Sequence, residues 1–303
     1  MKKQLLVIGG SYFVGRVFCI LASRTGAYDI TVVNRGRYEL KLDGVTQIHM
    51  DRHNTAALAQ LPDKEYDAIL DFCAYEPGDI RGFVEAMPCT AKQYVYISTA
   101  SVYDTAAPRP INESAPVTQA HGADENSIYV RKKLMLEDEC RFVCGEKGIA
   151  YTIFRPTFIY GPFNYAPRES WYFTHLLEHK PIPNPQDATA LFQVVYVKDV
   201  AEILMRTVGN EKTYNEVFNL SAPEELDNPR FLAVLERTHG QPLLLVNTTV
   251  SEALDQGIAL PFPLLFDEVY DGSKAARTLE FRYTPFAKGF KETYDIYMKA
   301  FNG

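Results

Sequence analysis

The stretch Gln4-Leu-Leu-Val-Ile-Gly-Gly-Ser-Tyr-Phe-Val-Gly-Arg16 decides the fold of this chain. It begins with a short apolar run, typical of a buried parallel strand, and apolar residues recur at helical spacing after the glycines. A strand, a glycine turn and a helix in this order can hold the phosphates of a dinucleotide, because glycines admit the pyrophosphate and the helix start offers free N–H groups. An ordinary turn is the alternative. The pattern predicts cofactor contacts from the whole loop: Gly9, Gly10, Ser11, Tyr12, Phe13, Val14 and Gly15.

The rest of the first half alternates apolar strands with helices. The spacing predicts strands at 29–34, 45–50, 67–73, 93–98 and 149–155, and helices at 79–87 and 125–147. Parallel strands need a crossover between them, usually a helix, so this alternation predicts an α/β fold with a Rossmann-type doubly wound parallel sheet. Such sheets bind ligands at the carboxyl ends of their strands. The hydroxyl-rich stretch at 98–103 therefore lies where a ligand is expected.

The end of the second predicted strand bears on the choice of cofactor. A cofactor without a 2′-phosphate is usually held there by an acid, but this chain has Asn34-Arg35-Gly36-Arg37. The amide of Asn34 can bond a ribose without repelling a phosphate, and Arg35 or Arg37 can pair with one. We therefore expect NADP(H) to be preferred and NAD(H) to remain possible, with solvated loop arginines as the alternative. Asp51 and Arg52, after the third strand, are predicted to meet the adenine end.

Two tyrosine–lysine pairs have the spacing of one helical turn, Tyr129 with Lys133 and Tyr270 with Lys274. An ammonium next to a phenol favours the phenolate, so such a tyrosine can exchange a proton with a substrate oxygen. With 19 tyrosines in 303 residues, this spacing also arises by chance on an ordinary helix face. Position favours Tyr129, because its predicted helix follows the fifth strand, whereas Tyr270 lies in an irregular region after two prolines.

The composition excludes several classes of protein. No apolar run reaches the roughly 20 residues of a membrane span. The net charge of −7 argues against a general nucleic-acid surface. Five scattered cysteines without a disulfide framework favour a reducing compartment, so we expect a cytoplasmic protein.

Further stretches carry a family resemblance: Ser98-Thr-Ala-Ser-Val-Tyr103, the Tyr129 and Lys133 pair, Arg155-Pro-Thr-Phe-Ile-Tyr-Gly-Pro162 and Val195-Tyr-Val-Lys-Asp-Val-Ala201. Together with the glycine loop, in which Tyr12 occupies the middle glycine position, they resemble the extended short-chain dehydrogenase/reductases, the NAD(P)-dependent epimerase/dehydratase group. The glycine loop and the Asn-Arg-Gly stretch are most similar to an outlying, atypical branch. That branch includes plant chloroplast proteins that bind stem-loop RNA.

The resemblance implies a function and a set of site residues. The implied activity is a NAD(P)-dependent epimerase or reductase of the sugar-nucleotide type, with Thr99, Tyr129 and Lys133 as catalytic residues. A 4,6-dehydratase is not expected, since relatives that remove water carry Asp-Glu where this chain has Ala100 and Ser101. We also expect a homodimer. Further cofactor contacts are implied for Cys73, Ala74, Ser98, Tyr129, Lys133 and Pro156, and substrate contacts for Tyr75, Ser101, Tyr160 and Trp171.

The resemblance also divides the chain. Residues 1–162 form the predicted cofactor domain, to which 191–220 returns, and 163–190 with 221–303 form most of a smaller, C-terminal substrate domain. In this half we predict strands at 191–197 and 216–220 and helices at 198–208, 229–238, 250–257 and 285–301. His175 and His179 have the spacing of some zinc ligands on one helix, but no third ligand is evident, and we expect no metal.

A protein of a different class remains as the alternative. A catalytically weak dehydrogenase scaffold that binds RNA, or that acts as a cofactor-sensing regulator, would carry the same motifs. The net charge of −7 makes nucleic acid the less favoured partner, and a small molecule, such as a nucleotide sugar, is the expected one.

Overall fold

A computed structural model describes residues 1–119, 121–258 and 260–302 of the chain. Its centre is a seven-stranded sheet in which every neighbouring pair is parallel. The strands in sheet order are β12 (Glu216–Leu220), β8 (Ala150–Pro156), β7 (Gln93–Ile97), β5 (Ala68–Asp71), β1 (Lys3–Ile8), β2 (Tyr28–Asn34) and β3 (Val45–His49). This order runs in both directions from β1, and the predicted doubly wound sheet is therefore confirmed.

Helices lie between the strands and after them. They are α1 (Phe13–Arg24), α2 (Thr55–Leu58), α3 (Asp79–Ala86), α4 (Glu125–Lys147), α5 (Glu169–Leu177), α6 (Val197–Thr207), α7 (Asn228–His239), α8 (Val250–Asp255), α9 (Ser273–Thr278) and α10 (Phe286–Asn302). Smaller sheets pair β4 (Glu65–Tyr66) with β6 (Thr90–Ala91), β9 (Phe158–Tyr160) with β11 (Val194–Tyr196), and β10 (Ile182–Pro185) with β13 (Leu245–Thr248). In the described part of the chain, we find no helix that is both long and apolar enough to cross a membrane.

The glycine turn between β1 and α1 is shaped by close backbone contacts. Gly10 has φ +70°, a conformation that side chains with a Cβ rarely adopt. A Cβ on Gly15 would lie 2.7 Å from the Cα of Gly10, so α1 packs against the turn at a distance that only glycine allows. The pattern of glycines thus brings the start of α1 close to the end of β1, as the sequence predicts.

A buried ion pair fixes α4 to the sheet. Glu137 on α4 accepts hydrogen bonds of 2.9 Å and 2.6 Å from the guanidinium of Arg155 on β8, and both residues are buried. Burial acts to raise the pKa of Glu137, but the hydrogen bonds and charge of Arg155 outweigh it, so the pKa is lowered. Removing either partner would leave a buried charge uncompensated, which typically costs about 3–5 kcal/mol. This pair holds the face of α4 that carries Lys133 one turn away.

The C-terminal part of the chain differs from the predictions in several places. β9, β10 and β13 were not expected, since each has only three or four residues and β10 contains two prolines. Strand β12 does return to the central sheet, beside β8. The division into a cofactor domain and a substrate domain stays a prediction.

In this part of the chain, the structure separates one histidine pair and one tyrosine–lysine pair that the sequence suggested. Helix α5 ends at Leu177, and His179 follows with φ +51°, so the premise that His175 and His179 share a helix is wrong. Tyr270 precedes the start of α9, and the Nζ of Lys274 donates instead to Glu216 at 2.7 Å. Among residues 1–119, 121–258 and 260–302, no cluster of three or more histidine, cysteine or acidic side chains is arranged to hold a metal.

Candidate active site

The candidate site lies at the carboxyl ends of β1, β5, β7 and β8. Thr99 follows β7 directly, and Tyr129 and Lys133 lie one turn apart on α4. Helix α4 begins at an Asp124 cap, whose side chain accepts a hydrogen bond from the Ser127 N–H. The sequence therefore brings the three proposed catalytic side chains to one edge of the sheet, where such sheets bind ligands.

Lys133 is the most constrained of these residues. Its side chain is buried, and Nζ donates hydrogen bonds to the carbonyl oxygens of Ile97 at 2.9 Å and Ala74 at 3.2 Å. The ammonium also lies 4.9 Å from the ring centroids of Tyr75 and Tyr96. Desolvation is the main influence on Lys133 and lowers its pKa to about 8, although the carboxylate of Asp71 acts in the opposite sense. Two of the three ammonium donors are thus engaged, which leaves one for a ligand.

Tyr129 reaches into the cleft with 38% of its surface exposed. Desolvation raises the pKa of its phenol, while the neighbouring Thr99 hydroxyl and the charge of Arg168 act to lower it. We expected Lys133 to lower this pKa, and in this structure it does not, because the ammonium lies 6.0 Å from the Tyr129 ring and faces two carbonyls. Tyr129 is therefore protonated at neutral pH in the cofactor-free protein.

The hydroxyl of Thr99 is hydrogen-bonded within its own turn. Its hydroxyl donates to the Ser101 hydroxyl at 3.2 Å and accepts from the Ser101 N–H at 3.2 Å. In the described part of the chain it forms no hydrogen bond of normal geometry with Tyr129, although the two hydroxyls are close enough to interact. Ser101 is exposed beside it, and a substrate oxygen bound near Tyr129 would lie close to this pair of hydroxyls.

Three tyrosines stack across the start of the glycine loop. Tyr12 lies between Tyr38 and Tyr165, with ring centroids 5.5 Å and 5.2 Å away and nearly parallel planes. Tyr12 is the residue that replaces the middle glycine, so an exposed aromatic ring is present at this position of the loop. No motif in the sequence pointed to Tyr38 or Tyr165. Stacking between residues so far apart in the chain leaves no local pattern to find.

The residues proposed to contact the adenosine end of the cofactor differ in whether their side chains already have hydrogen-bond partners. Asn34 is committed to the fold, since its amide donates to the Gly9 carbonyl at 3.1 Å and accepts from the Gly36 N–H at 2.8 Å. Arg35 and Arg37 are exposed, and Arg37 lies 5.5 Å from the ring centroid of Tyr38. The exposed Asp51 accepts from the His53 N–H at 2.9 Å.

The side chain of Arg52 is hydrogen-bonded within the protein and stabilises the fold. Its guanidinium donates to both carboxylate oxygens of Asp71, at 3.0 Å and 2.9 Å, and to the Asp79 carbonyl at 2.7 Å. The side chain is only 8% exposed. Arg52 therefore joins the ends of β3, β5 and α3, and we remove it from the proposed cofactor contacts.

The remaining proposed cofactor contacts line the strand ends. Cys73 is half-buried, and desolvation raises the pKa of its thiol to about 12, so it is not a nucleophile at neutral pH. The carbonyl of Ala74 accepts from Lys133, as described above. The buried Ser98 hydroxyl has no hydrogen-bond partner in the described residues. Pro156 is buried at the end of β8.

Two of the residues proposed for substrate binding have other surroundings. Tyr160 is wrongly assigned, because its buried ring stacks on Tyr196 at 5.2 Å and a Cβ on Gly289 would meet its hydroxyl at 2.3 Å. It therefore packs against α10. Trp171 stacks on His175, with ring centroids 3.8 Å apart, and is partly buried against the core. Tyr75 remains well placed, with 47% of its surface exposed beside Lys133.

The site fits a nicotinamide dinucleotide. The turn at Gly10 and Gly15 leaves no room for a Cβ, the first turn of α1 has no side-chain cap, and the N–H groups there are available for phosphate oxygens. Lys133 lies across the sheet edge from that turn, with a donor free for a ribose hydroxyl. The glycine turn and Lys133 on α4 provide these features. A dinucleotide would therefore not require the sheet to rearrange.

Comparisons with known proteins agree with this fold. Residues 81–221 match the family model described as NAD dependent epimerase/dehydratase family. A UDP-glucuronic acid 4-epimerase from Bacillus cereus, solved with UDP-glucuronic acid and NAD, is 18% identical with a TM-score of 0.78, covering 98% of this chain and 99% of that one. A UDP-glucose 4-epimerase from Thermotoga maritima, solved with UDP-glucose, is 17% identical with a TM-score of 0.79, covering 98% and 99%.

The chain is also similar to a characterised plant protein. The chloroplast stem-loop binding protein of 41 kDa b from Arabidopsis thaliana is 30% identical over 235 residues, which is 73% of this chain and 59% of that protein. The chain thus spans somewhat more than half of that relative's length. Residues 81–221 therefore match a domain of the NAD-dependent epimerase/dehydratase family, and the similar epimerase structures share the fold of the chain.

Proposed function

We propose that this chain is a NAD(P)-dependent epimerase or reductase that acts at a carbinol or carbonyl carbon of a nucleotide sugar. The observation that carries the proposal is the placement of Tyr129, Thr99 and Lys133 at the sheet edge next to a glycine turn suited to a dinucleotide. The UDP-sugars bound in the similar epimerase structures support this class of substrate.

The proposed chemistry divides among the side chains. A bound nicotinamide cofactor supplies the hydride donor and acceptor. Tyr129, protonated at neutral pH, donates its proton to a carbonyl oxygen as that oxygen gains charge, and takes it back in the reverse direction. Thr99 hydrogen-bonds the same oxygen and orients it. Lys133 holds a ribose hydroxyl with its remaining donor, and its charge then lies near the phenol.

Hydride transfer itself tests the proposal. The protein is loaded with NADP(H) or NAD(H), mixed with a panel of nucleotide sugars, and followed by the absorbance of reduced nicotinamide and by product stereochemistry. We expect at least one nucleotide sugar to change the redox state of the cofactor or to be epimerised. A protein that binds cofactor yet leaves every member of the panel unchanged contradicts the proposal.

We propose that NADP(H) binds more tightly than NAD(H). Arg37 and Arg35 are exposed directly after β2, which ends in Asn34 and not in an acid. Arg37→Gln should weaken NADP(H) binding by about 10-fold, the worth of one charge-assisted hydrogen bond, and leave NAD(H) unaffected. Calorimetric titration of both cofactors measures this, with Arg24→Gln at the end of α1 as a control. A clear preference of the wild type for NAD(H) would overturn the arginine argument.

RNA binding is a second candidate function, favoured by two observations. The similar Arabidopsis protein is named for stem-loop binding, and the exposed stack of Tyr38, Tyr12 and Tyr165 offers flat rings on which bases could stack. We expect weak RNA binding that falls steeply with salt, given the net charge of −7. Fluorescence anisotropy with a stem-loop RNA measures it. Tight, specific binding at physiological salt, lost in Tyr12→Ala but kept in Tyr129→Phe, would favour the second function.

We further propose a cytoplasmic homodimer. Ile128, Met135 and Phe142 recur every seven residues on α4 and are 36%, 53% and 58% exposed, so they form an apolar stripe on the helix face directed to solvent. Such a stripe suits the same stripe of a second copy. Five free cysteines, four of them buried, support a reducing compartment.

A further inference from the structure

Arg168 is a cation whose charge reaches the proposed catalytic tyrosine, Tyr129. It lies at the start of α5, directly after the loop that follows β9, and its guanidinium stacks on the Phe158 ring with 4.7 Å between the guanidinium carbon and the ring centroid. Its charge acts on the phenols of Tyr129 and Tyr165. The loop after β9 thus places a positive charge close enough to interact with Tyr129, the group proposed to move a proton.

This guanidinium has no hydrogen-bond or ion-pair partner among the described residues. Arginine offers five donors in a planar fork, and burial without partners is costly, as the lowered pKa of Arg168 by desolvation indicates. Arg16 and Arg52 also each keep a buried Nε without a partner among the described residues, whereas two other arginines are engaged. Arg155 is paired with Glu137, and Arg109 donates to the carbonyls of Asp267 and Thr105 at 3.0 Å and 3.2 Å.

The carboxyl groups near Arg168 are not its partners. Glu169 is turned inward, accepting from the Gly161 N–H at 2.8 Å and from the Asn164 amide at 3.1 Å. Glu268 also interacts with the charge of Arg168, but forms no ion pair with it in the described structure. Desolvation raises the pKa of both carboxyl groups, which makes each a weaker counterion. The guanidinium of Arg168 therefore lies over the Phe158 ring and interacts with the phenol of Tyr129, while its donors have no partner among the described residues.

We propose that Arg168 binds a negatively charged group carried by the reacting part of the substrate, a carboxylate or phosphate attached within one sugar ring of the carbon that exchanges hydride. This assignment rests on the proposed function, because it takes Tyr129 as the position of the reacting oxygen. A planar guanidinium pairs with a carboxylate through two parallel hydrogen bonds, so it fixes orientation as well as charge. The substrate class is accordingly an acidic sugar on a nucleotide, and not a neutral one.

An anionic group of the substrate could belong to the sugar ring or to the diphosphate of the nucleotide. We assign Arg168 to a group on the sugar ring. Three probes separate these sources: UDP-glucuronic acid, UDP-glucose and UDP, each titrated by calorimetry into the protein saturated with its cofactor. We expect UDP-glucuronic acid to bind about 10- to 100-fold more tightly than UDP-glucose. Arg168→Gln should remove this difference and leave the affinity for UDP unchanged.

A second variant of Arg168 serves as one control, and a variant of an arginine that is already hydrogen-bonded serves as the other. Arg168→Lys keeps the charge without the fork and should retain part of the preference. Arg109→Gln, an arginine whose donors already have carbonyl partners, should leave the preference unchanged. Thermal unfolding of Arg168→Gln near the wild-type temperature establishes that the variant is folded.

The outcomes distinguish this assignment from the proposed function. Equal binding of UDP-glucuronic acid and UDP-glucose to the wild type, or an Arg168→Gln variant that loses affinity for UDP as much as for either sugar, overturns the assignment of Arg168 while leaving hydride transfer to be measured separately. Failure of all three probes to bind the cofactor-loaded protein contradicts the nucleotide-sugar function, and the assignment with it.

Discussion

Tyr129→Phe should reduce the rate of hydride transfer by about 10²–10⁴-fold, the usual loss when a general acid or base is removed. The substitution removes the transferable proton and almost no volume, so folding and cofactor binding should survive. The phenol makes no hydrogen bond of normal geometry in the described structure, and its loss therefore leaves no buried partner unsatisfied. The measurement is single-turnover hydride transfer, followed by nicotinamide absorbance.

The second tyrosine of the chain provides the matched control for this experiment. Tyr270 is buried beside Tyr103, with ring centroids 6.1 Å apart, and lies outside α9. Tyr270→Phe should leave the chemical step near that of the wild type. A rate for Tyr129→Phe within about threefold of wild type, well short of the lower bound of about 10², would show that another residue transfers the proton.

Lys133→Met should be more harmful than Tyr129→Phe, because it removes both a donor to the cofactor ribose and a charge near the phenol. Cofactor affinity and rate should fall together, the rate by at least about 10²-fold. Stability should not fall with them. Burial lowers the pKa of Lys133 to about 8, which means that the charged form is disfavoured in the fold, and methionine fills a similar volume without that cost.

The sign of this pKa shift predicts how stability depends on pH. An unfolded lysine titrates near 10.5, so between pH 8 and that value the unfolded state binds more protons. The cost of charged Lys133 is therefore fully present below pH 8 and is relieved as the pH rises. Lys133→Met should remove this part of the pH dependence, whereas Lys274→Met, on α9, should keep it. Denaturant unfolding at several pH values measures both, and a Lys133→Met variant that loses stability at pH 7 but keeps cofactor affinity would contradict the role assigned to Lys133.

The sequence predicts those parts of the structure whose signals are local. Helix α4 has the bounds expected for it, since Asp124 caps its start and Gly148 ends it in a left-handed conformation. The glycine turn is equally local, because Gly10 and Gly15 are required by contacts within a few residues. Motifs of this kind identify the fold and the general position of the site.

What the sequence does not predict depends on contacts between distant segments. Nothing near Tyr160 indicates that its ring packs on Tyr196 and α10, so its assignment to the substrate was wrong. Nothing near Arg52 indicates that Asp71 takes its guanidinium. Arg168 was missed for the same reason, because its significance is the absence of a partner among the described residues, which only the assembled cleft shows.

A crystal structure with NADP(H) bound tests the central claim most directly, namely that the cleft beside Tyr129 is a nicotinamide site for hydride transfer. We predict the pyrophosphate at the turn of Gly10 and Gly15, a ribose hydroxyl on the Nζ of Lys133, and the nicotinamide C4 facing the space next to the Tyr129 hydroxyl. A cofactor bound elsewhere on the chain, or one whose nicotinamide is turned away from Tyr129 with that space closed by protein, would contradict the claim.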